Sequence, residues 1–153
     1  MSGAWNRCSA VQCWSPVVDT PAGVPLCLEH REQLARELGA KASSVVYYLT
    51  WDGGCSIKIG TSTRPRLRFK QHSKDVGKPV TVLAVHPGGY AEEQVQHARF
   101  RDLLLPGQSE VFRAGPALRE HVASVNHFWP NWEALVSAIE SARPRRPRAS
   151  SMI

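Results

Sequence analysis

The chain has 153 residues, of which 42% are hydrophobic, with a formal net charge of +6 and a pI of about 9.5. That length is enough for one compact domain with a small appendage and too short for two full cores. No run approaches the roughly 18 apolar residues of a membrane span, and the opening "MSGAWNRCSAVQCW" lacks the apolar stretch of a secretory signal, so the expectation is a cytoplasmic protein without membrane segments.

Charge narrows the class of partner. Fourteen of the nineteen basic residues are arginine, and the planar guanidinium makes bidentate contacts with phosphate, which favours a polyanion such as nucleic acid. Net charge on its own goes no further, because basic proteins without such a partner have similar totals.

The first zone, residues 1–43, carries Cys8, Cys13 and Cys27, with His30 close behind. The pairs Cys8-x4-Cys13 and Cys27-x2-His30 match the spacing of structural Zn²⁺ ligands. Cys27 and His30 fall on one face of the first turn of a helical pattern, "LEHREQLARELGA", that ends at Gly39. The alternative is a set of buried thiols. A segment this poor in aliphatic residues needs another source of stability, which favours zinc. Such a zinc-knuckle-like segment would be closed and structural, and would offer Trp5, Arg7 and Trp14 to nucleic acid or a face to a protein partner. Disulfides are not expected in a reducing compartment.

The second zone, residues 44–128, alternates strand and helix signals. "SVVYYLT" is β-branched and aromatic throughout and predicts a strand. "WDGG" supplies turn residues and "CSIKIG" returns as a second strand, with Cys55 a strand residue remote from the other cysteines. A basic helix follows from Pro65 to Asp75, with proline in its first turn, where an N–H has no intrahelical partner. "VTVLAVH" predicts a third strand ended by "PGG". A helix then runs from Tyr90 to Leu105, stopped by Pro106 and Gly107. "SEVFR" is short and extended, and a further helix covers 116–127. The order β-β-α-β-α with more helix behind it predicts an α+β fold: a small antiparallel three-stranded sheet covered by helices on one side.

Residues 129–142 hold a C-terminal helix, "NWEALVSAIESA", preceded by "FWPNW", whose aromatics read as packing. Residues 143–153 form a basic tail in which Arg143, Arg145, Arg146 and Arg148 alternate with proline. Proline forbids helix there and favours an extended, disordered arm. Such an arm is either a source of phosphate contacts or a solvated end.

The central pattern resembles the GIY-YIG nuclease superfamily. Val46-Tyr47 lies on the first hairpin strand and Lys58-Ile59-Gly60 ends the second; Arg68 follows eight residues after Gly60, and His72 four later in "RFKQH". "AEEQVQHARF" offers Glu93, then His97 and Phe100, and "SEVF" supplies Glu110 and Phe112. Lys-Ile-Gly in place of Tyr-Ile-Gly, Glu-x3-His-x2-Phe and Glu-x-Phe are similar to a phage-associated branch of that superfamily. The resemblance covers about residues 45–113. It implies a metal-dependent DNA endonuclease in which Tyr47 assists deprotonation of the attacking water, Arg68 stabilises transition-state charge and Glu93 holds Mg²⁺ or Mn²⁺. It calls for no organic cofactor.

The residues themselves suit that chemistry. Hydrolysing a phosphodiester requires an activated water and compensation of charge on the phosphoryl oxygens. Tyr47 and Lys58, on paired strands, can share a face; Arg68 brings a fork of donors. One glutamate suffices for Mg²⁺, which keeps most of its waters. Arg68/His72 and Glu93/His97 are each spaced i,i+4, hence each pair lies on one helix face. Arg64, Arg66 and Lys70 join the tail arginines as candidate backbone contacts.

Plainer readings stand beside these. Strand tyrosines usually pack, and surface carboxylates are common; Glu93 is preferred to Glu92 because Glu93, His97, Phe100 and Leu104 form one stripe. His97 reads as a hydrogen-bonded, partly buried residue, His72 as a candidate base, and Glu110 as structural or pairing with a nearby arginine. Lys58 departs from the superfamily's second tyrosine and leaves the general base open. Two rival functions follow: a non-catalytic nucleic-acid-binding module of the same fold, and a zinc-dependent protein adaptor with an incidental basic surface.

Overall fold

A computed structural model describes residues 42–142. The expected zinc ligands Cys8, Cys13, Cys27 and His30, their helix, and the basic tail of residues 143–153 lie outside the described residues.

The elements run β1 (Val45–Thr50), β2 (Ser56–Ser62), α1 (Pro65–Val76), β3 (Thr81–Pro87), α2 (Tyr90–Arg99), a 3₁₀ turn (Arg101–Leu103), β4 (Val111–Arg113), α3 (Pro116–Phe128) and α4 (Trp132–Ser141). The fold is α+β, with one antiparallel sheet in the order β3-β1-β2-β4. The sheet therefore has four strands where three were expected. The added strand comes from "SEVFR": Ile57 pairs with Phe112 and Lys58 with Val111, and Ile59 N–H donates to the Glu110 carbonyl at 3.0 Å. Three residues are too few to announce a strand by composition, yet here they cover part of an otherwise open edge.

Helices cover both faces of this sheet, not one. Every residue of β1 is buried, because the run Val-Val-Tyr-Tyr-Leu-Thr has no polar alternation and both of its faces need partners. Val46, Tyr48, Ile57, Ile59 and Ala84 pack with Phe100, Phe112, Leu118 and Val125 on one side, which α3 closes. Val45, Tyr47, Leu49 and Val85 pack with Phe69, Val136 and Ile139 on the other, beneath α1 and α4. The aromatics of "FWPNW" divide between the two, Trp129 against the first core and Trp132 against the second.

The hairpin turn is built by Asp52, whose Oδ1 accepts from Thr50 Oγ1 at 3.0 Å and from Ser56 N–H at 2.9 Å. Gly53 and Gly54 supply the positive φ of 74° and 95° that the loop needs. Cys55 is exposed just ahead of β2 rather than within it. Helix α2 stops at Arg99, short of the expected Leu105. Leu104 turns extended (φ −59°, ψ 128°) and bridges to Phe112, while Leu105 N–H donates to Val111 O at 3.0 Å. Pairing at the sheet edge thus takes the backbone groups a longer helix would have used. Among the described residues no helix is long and apolar enough to cross a membrane.

Candidate active site

The register of β1 on β2 sets Tyr47 opposite Gly60 and Leu49 opposite Lys58. Directly opposed residues of an antiparallel pair share a face, so Tyr47 and Lys58 lie on the same side of the sheet. Gly60 sits inside β2, two residues before its end. A Cβ at this position would overlap the Tyr47 phenol. Gly60 leaves free the space that the tyrosine ring occupies.

Helix α1 closes over the phenol. Phe69 meets Tyr47 edge-on, with ring centroids 5.3 Å apart and planes at 87°. One turn on, His72 Nε2 lies 2.8 Å from the Tyr47 hydroxyl. His72 is buried, and burial, with Lys58 and Arg68 adding to it, pulls its pKa down to about 4. Burial pushes the Tyr47 phenol up to about 12, against a lowering hydrogen bond and charge from Arg68. At neutral pH both partners are therefore uncharged. Arg68 lies on the exposed side of α1 and also donates to Gln71 Oε1 at 3.3 Å.

Helix α2 reaches the same place from the sheet edge. Among the described residues the edge of β2 has no strand partner beyond Glu110, and His97 Nε2–H donates to the Ile59 carbonyl at 2.9 Å while its ring packs on Phe112. That anchor fixes the helix one turn after Glu93. The Glu93 carboxylate is buried, accepts from Gln94 Nε2 at 3.2 Å and comes within 3.9 Å of His97 Nε2. Burial raises its pKa; His97 opposes that and Glu110 adds to it. Glu110 itself makes an ion pair with Lys58 at 3.2 Å.

Tyr47, Lys58, Arg68, His72, Glu93 and Glu110 thus form one electrostatically linked group, with His97 as its anchor to the backbone. Arg64, the residue just before α1, and Lys70 within it are exposed. Arg66 is engaged elsewhere: its guanidinium donates to Glu140 Oε2 at 2.9 Å and to Ser137 Oγ at 2.6 Å on α4. The tail arginines Arg143, Arg145, Arg146 and Arg148 lie outside the described residues. The partnership of Glu110 with Lys58 had no sequence signal, since it arises only when β4 joins β2.

A second polar cluster occupies the opposite face and was not legible in the sequence. His86 Nδ1–H donates to Pro87 O at 2.9 Å, which leaves its Nε2 to accept from the Tyr48 hydroxyl at 3.1 Å. Arg99 donates to His121 Nδ1 at 3.2 Å, which leaves His121 Nε2–H to donate to the same hydroxyl at 2.8 Å. Arginine has no acceptor, so the chain of donors runs in one direction, and both imidazoles are neutral. Burial lowers the pKa of His86 and takes that of His121 to about 3.

Among the described residues no three His, Cys, Asp or Glu side chains cluster as a ready-made metal site. Glu93 nonetheless suits a hard cation. Its carboxylate is buried and disfavoured by that burial, and Mg²⁺ asks for only one or two protein carboxylates because it retains waters. No protein-family model matches the chain, and no curated protein or solved structure matches it.

Proposed function

We propose that this domain is a metal-dependent endonuclease of the GIY-YIG type that hydrolyses DNA phosphodiester bonds. The observation that supports the reading is convergence: β1, β2, α1 and α2 bring Tyr47, Lys58, Arg68, His72 and Glu93 into one electrostatically linked group, with the Tyr47 hydroxyl 2.8 Å from His72 Nε2. Packing alone does not ask for two cations, a buried carboxylate and a hydrogen-bonded Tyr–His pair in one place.

In this mechanism the attacking water gives its proton to the Tyr47 oxygen as the phenol proton passes to His72 Nε2. The gap between about 12 for Tyr47 and about 4 for His72 makes the phenolate inaccessible at rest, so the two transfers occur together with attack on phosphorus, and the P–O bond to the leaving oxygen breaks as that oxygen takes a proton from solvent. Arg68 and Lys58 hold the non-bridging oxygens as charge develops on them. Glu93 would hold Mg²⁺ or Mn²⁺, which when bound supplies Lewis-acid stabilisation of the phosphoryl group. Arg64, Lys70 and the tail arginines supply sequence-independent phosphate contacts, and Cys8, Cys13, Cys27 and His30 would hold a structural Zn²⁺.

A second reading, a non-catalytic nucleic-acid-binding module, draws on one observation: an imidazole with a pKa of about 4 is a weak base. Cleavage of supercoiled plasmid with Mg²⁺ or Mn²⁺ separates the two. Nicking by the wild type that is lost in Glu93→Ala, in Arg68→Ala and with EDTA supports the nuclease. DNA retained on a gel with no nicking under either metal supports the binding module.

A further inference from the structure

Lys58 and Glu110 form the ion pair of this site, and its geometry follows from the sheet. β4 pairs with β2 only as far as Lys58↔Val111, and the Glu110 carbonyl is fixed by Ile59 N–H at 3.0 Å. The Glu110 side chain is thereby set beside Lys58, with 3.2 Å between Nζ and Oε2. Both side chains reach solvent, at 20% and 38% exposure, so the pair is accessible and held weakly. It stands among groups of both signs: Arg68 and His72 from α1, Tyr47 from β1, and Glu93 from α2, whose carboxyl is raised in part by Glu110. A carboxylate on a lysine that reaches solvent occupies the position a phosphate oxygen would take, because both are oxygen acceptors for the same ammonium donors.

We propose that Glu110 is an intramolecular counter-ion for Lys58 that is exchanged for a backbone phosphate when nucleic acid enters the site. The proposal rests on the nucleic-acid reading above and gives Glu110 a role that reading does not need. In the free protein Glu110 holds and neutralises Lys58. On binding, Lys58 turns to a phosphate oxygen, and Glu110 is left facing solvent with its carboxylate near Glu93. Glu110 therefore lowers affinity for polyanions, and restricts strong binding to ligands that bring enough charge, or a divalent cation, to offset two neighbouring carboxylates.

The test is equilibrium binding of a fluorescent duplex to the full chain in EDTA, across a series of salt concentrations, for wild type, Glu110→Gln, Lys58→Gln and the double variant. Loss of an exposed pair's worth of competition predicts that Glu110→Gln binds about two- to fivefold tighter than wild type. Its log K against log salt slope steepens by up to about 0.9, one phosphate contact. Lys58→Gln weakens binding, and adding Glu110→Gln to it restores less than the same change gains in the wild type. Unaltered or weaker binding by Glu110→Gln, with circular dichroism showing the same melting temperature, overturns the proposal and makes Glu110 a holder of Lys58 instead. Equal gains from Glu110→Gln with and without Lys58 overturn it as well, because they reduce the effect to general repulsion. EDTA separates this outcome from the nuclease reading: binding that behaves as predicted in a protein that never cleaves sustains the exchange and removes the enzyme. Failure of every form to bind duplex in EDTA overturns the exchange, while plasmid cleavage with Mg²⁺ or Mn²⁺ decides the nuclease reading on its own.

Discussion

The Tyr47 hydroxyl and His72 Nε2 lie 2.8 Å apart, joining the central strand to the first helix through a buried hydrogen bond. Neither group carries charge at neutral pH, since burial pushes one pKa up and, with two cations beside it, the other down. The bond is an ordinary neutral one in the resting protein and, in the nuclease mechanism proposed above, a proton path only when the reaction drives it. Its two functions separate by mutation. Tyr47→Phe keeps the ring against Phe69 and Gly60 and loses one hydrogen bond, at a cost of about 0.5–1.5 kcal/mol. Single-turnover cleavage falls by about 10²- to 10⁴-fold, the range for loss of a general acid–base group. Full cleavage by Tyr47→Phe would remove the phenol from the mechanism and leave the bond a packing feature.

Gly60 is the residue that allows this geometry. Its missing side chain is filled by the Tyr47 ring, so Gly60→Ala forces the phenol away from the sheet and from His72. Overpacking of this kind costs about 1–3 kcal/mol, measurable by urea denaturation. The cost shrinks in a Tyr47→Ala background, where the space is vacant. If Gly60→Ala is equally destabilising with and without Tyr47, the ring is not what excludes a side chain there.

The legible parts of this molecule were those carried by local pattern. The strands of the hairpin, helix α1 behind Pro65 and helix α3 all follow from composition and turn chemistry, and the i,i+4 spacings placed Arg68 with His72 and Glu93 with His97. What the pattern missed was long-range. β4 is only Val111–Arg113, and its strand character comes from the β2 edge it meets. The end of α2 is set by Leu104 pairing with Phe112, a contact no helix propensity contains. The all-buried β1 was present in the sequence as a run without polar alternation, and reading that run as two-faced would have put helices on both sides. Tyr48 carried no signal of its hydrogen bonds to His86 and His121, because these partners come from β3 and α3, 38 and 73 residues away.

That distant cluster makes the fold sensitive to acid. In the unfolded chain both histidines titrate near 6.5, while in the folded protein burial lowers both, His121 to about 3. Below about pH 6.5 the unfolded state therefore binds more protons, and stability falls as pH drops. Each histidine contributes up to about 1.4 kcal/mol per pH unit until its folded pKa is reached. His72, lowered to about 4, acts in the same direction. Asp52 and Glu92, lowered by backbone hydrogen bonds, add a smaller loss in the carboxylate range; Glu93, raised by burial, acts against it. Urea midpoints between pH 7 and 4.5 should fall steadily, and His121→Gln should flatten the slope while lowering stability at pH 7. A pH-independent midpoint would mean that the imidazoles find water or charge compensation when protonated.

Arg66 separates charge engaged within the fold from charge left exposed on α1. The helix has no side-chain cap of its own and no acidic residue in its first turn. Glu140 from α4 takes that place: Oε1 accepts Arg66 N–H at 3.1 Å and Oε2 accepts its guanidinium at 2.9 Å. An N-terminal carboxylate satisfies an otherwise unpaired N–H and suits the positive end of the helix. Replacing Glu140 with Ala removes both contacts and costs about 0.5–2 kcal/mol, as loss of a cap does. Arg66→Ala, which leaves the backbone bond, costs about 0.2–1 kcal/mol. On the nucleic-acid reading proposed above, the order reverses for DNA binding. Arg64→Ala and Lys70→Ala each reduce the log–log salt slope by up to about 0.9, one phosphate contact, while Arg66→Ala leaves it unchanged because that guanidinium is already spent on α4. A slope that falls for Arg66→Ala as much as for Arg64→Ala would show that the clamp opens on binding, and that α4 moves with it.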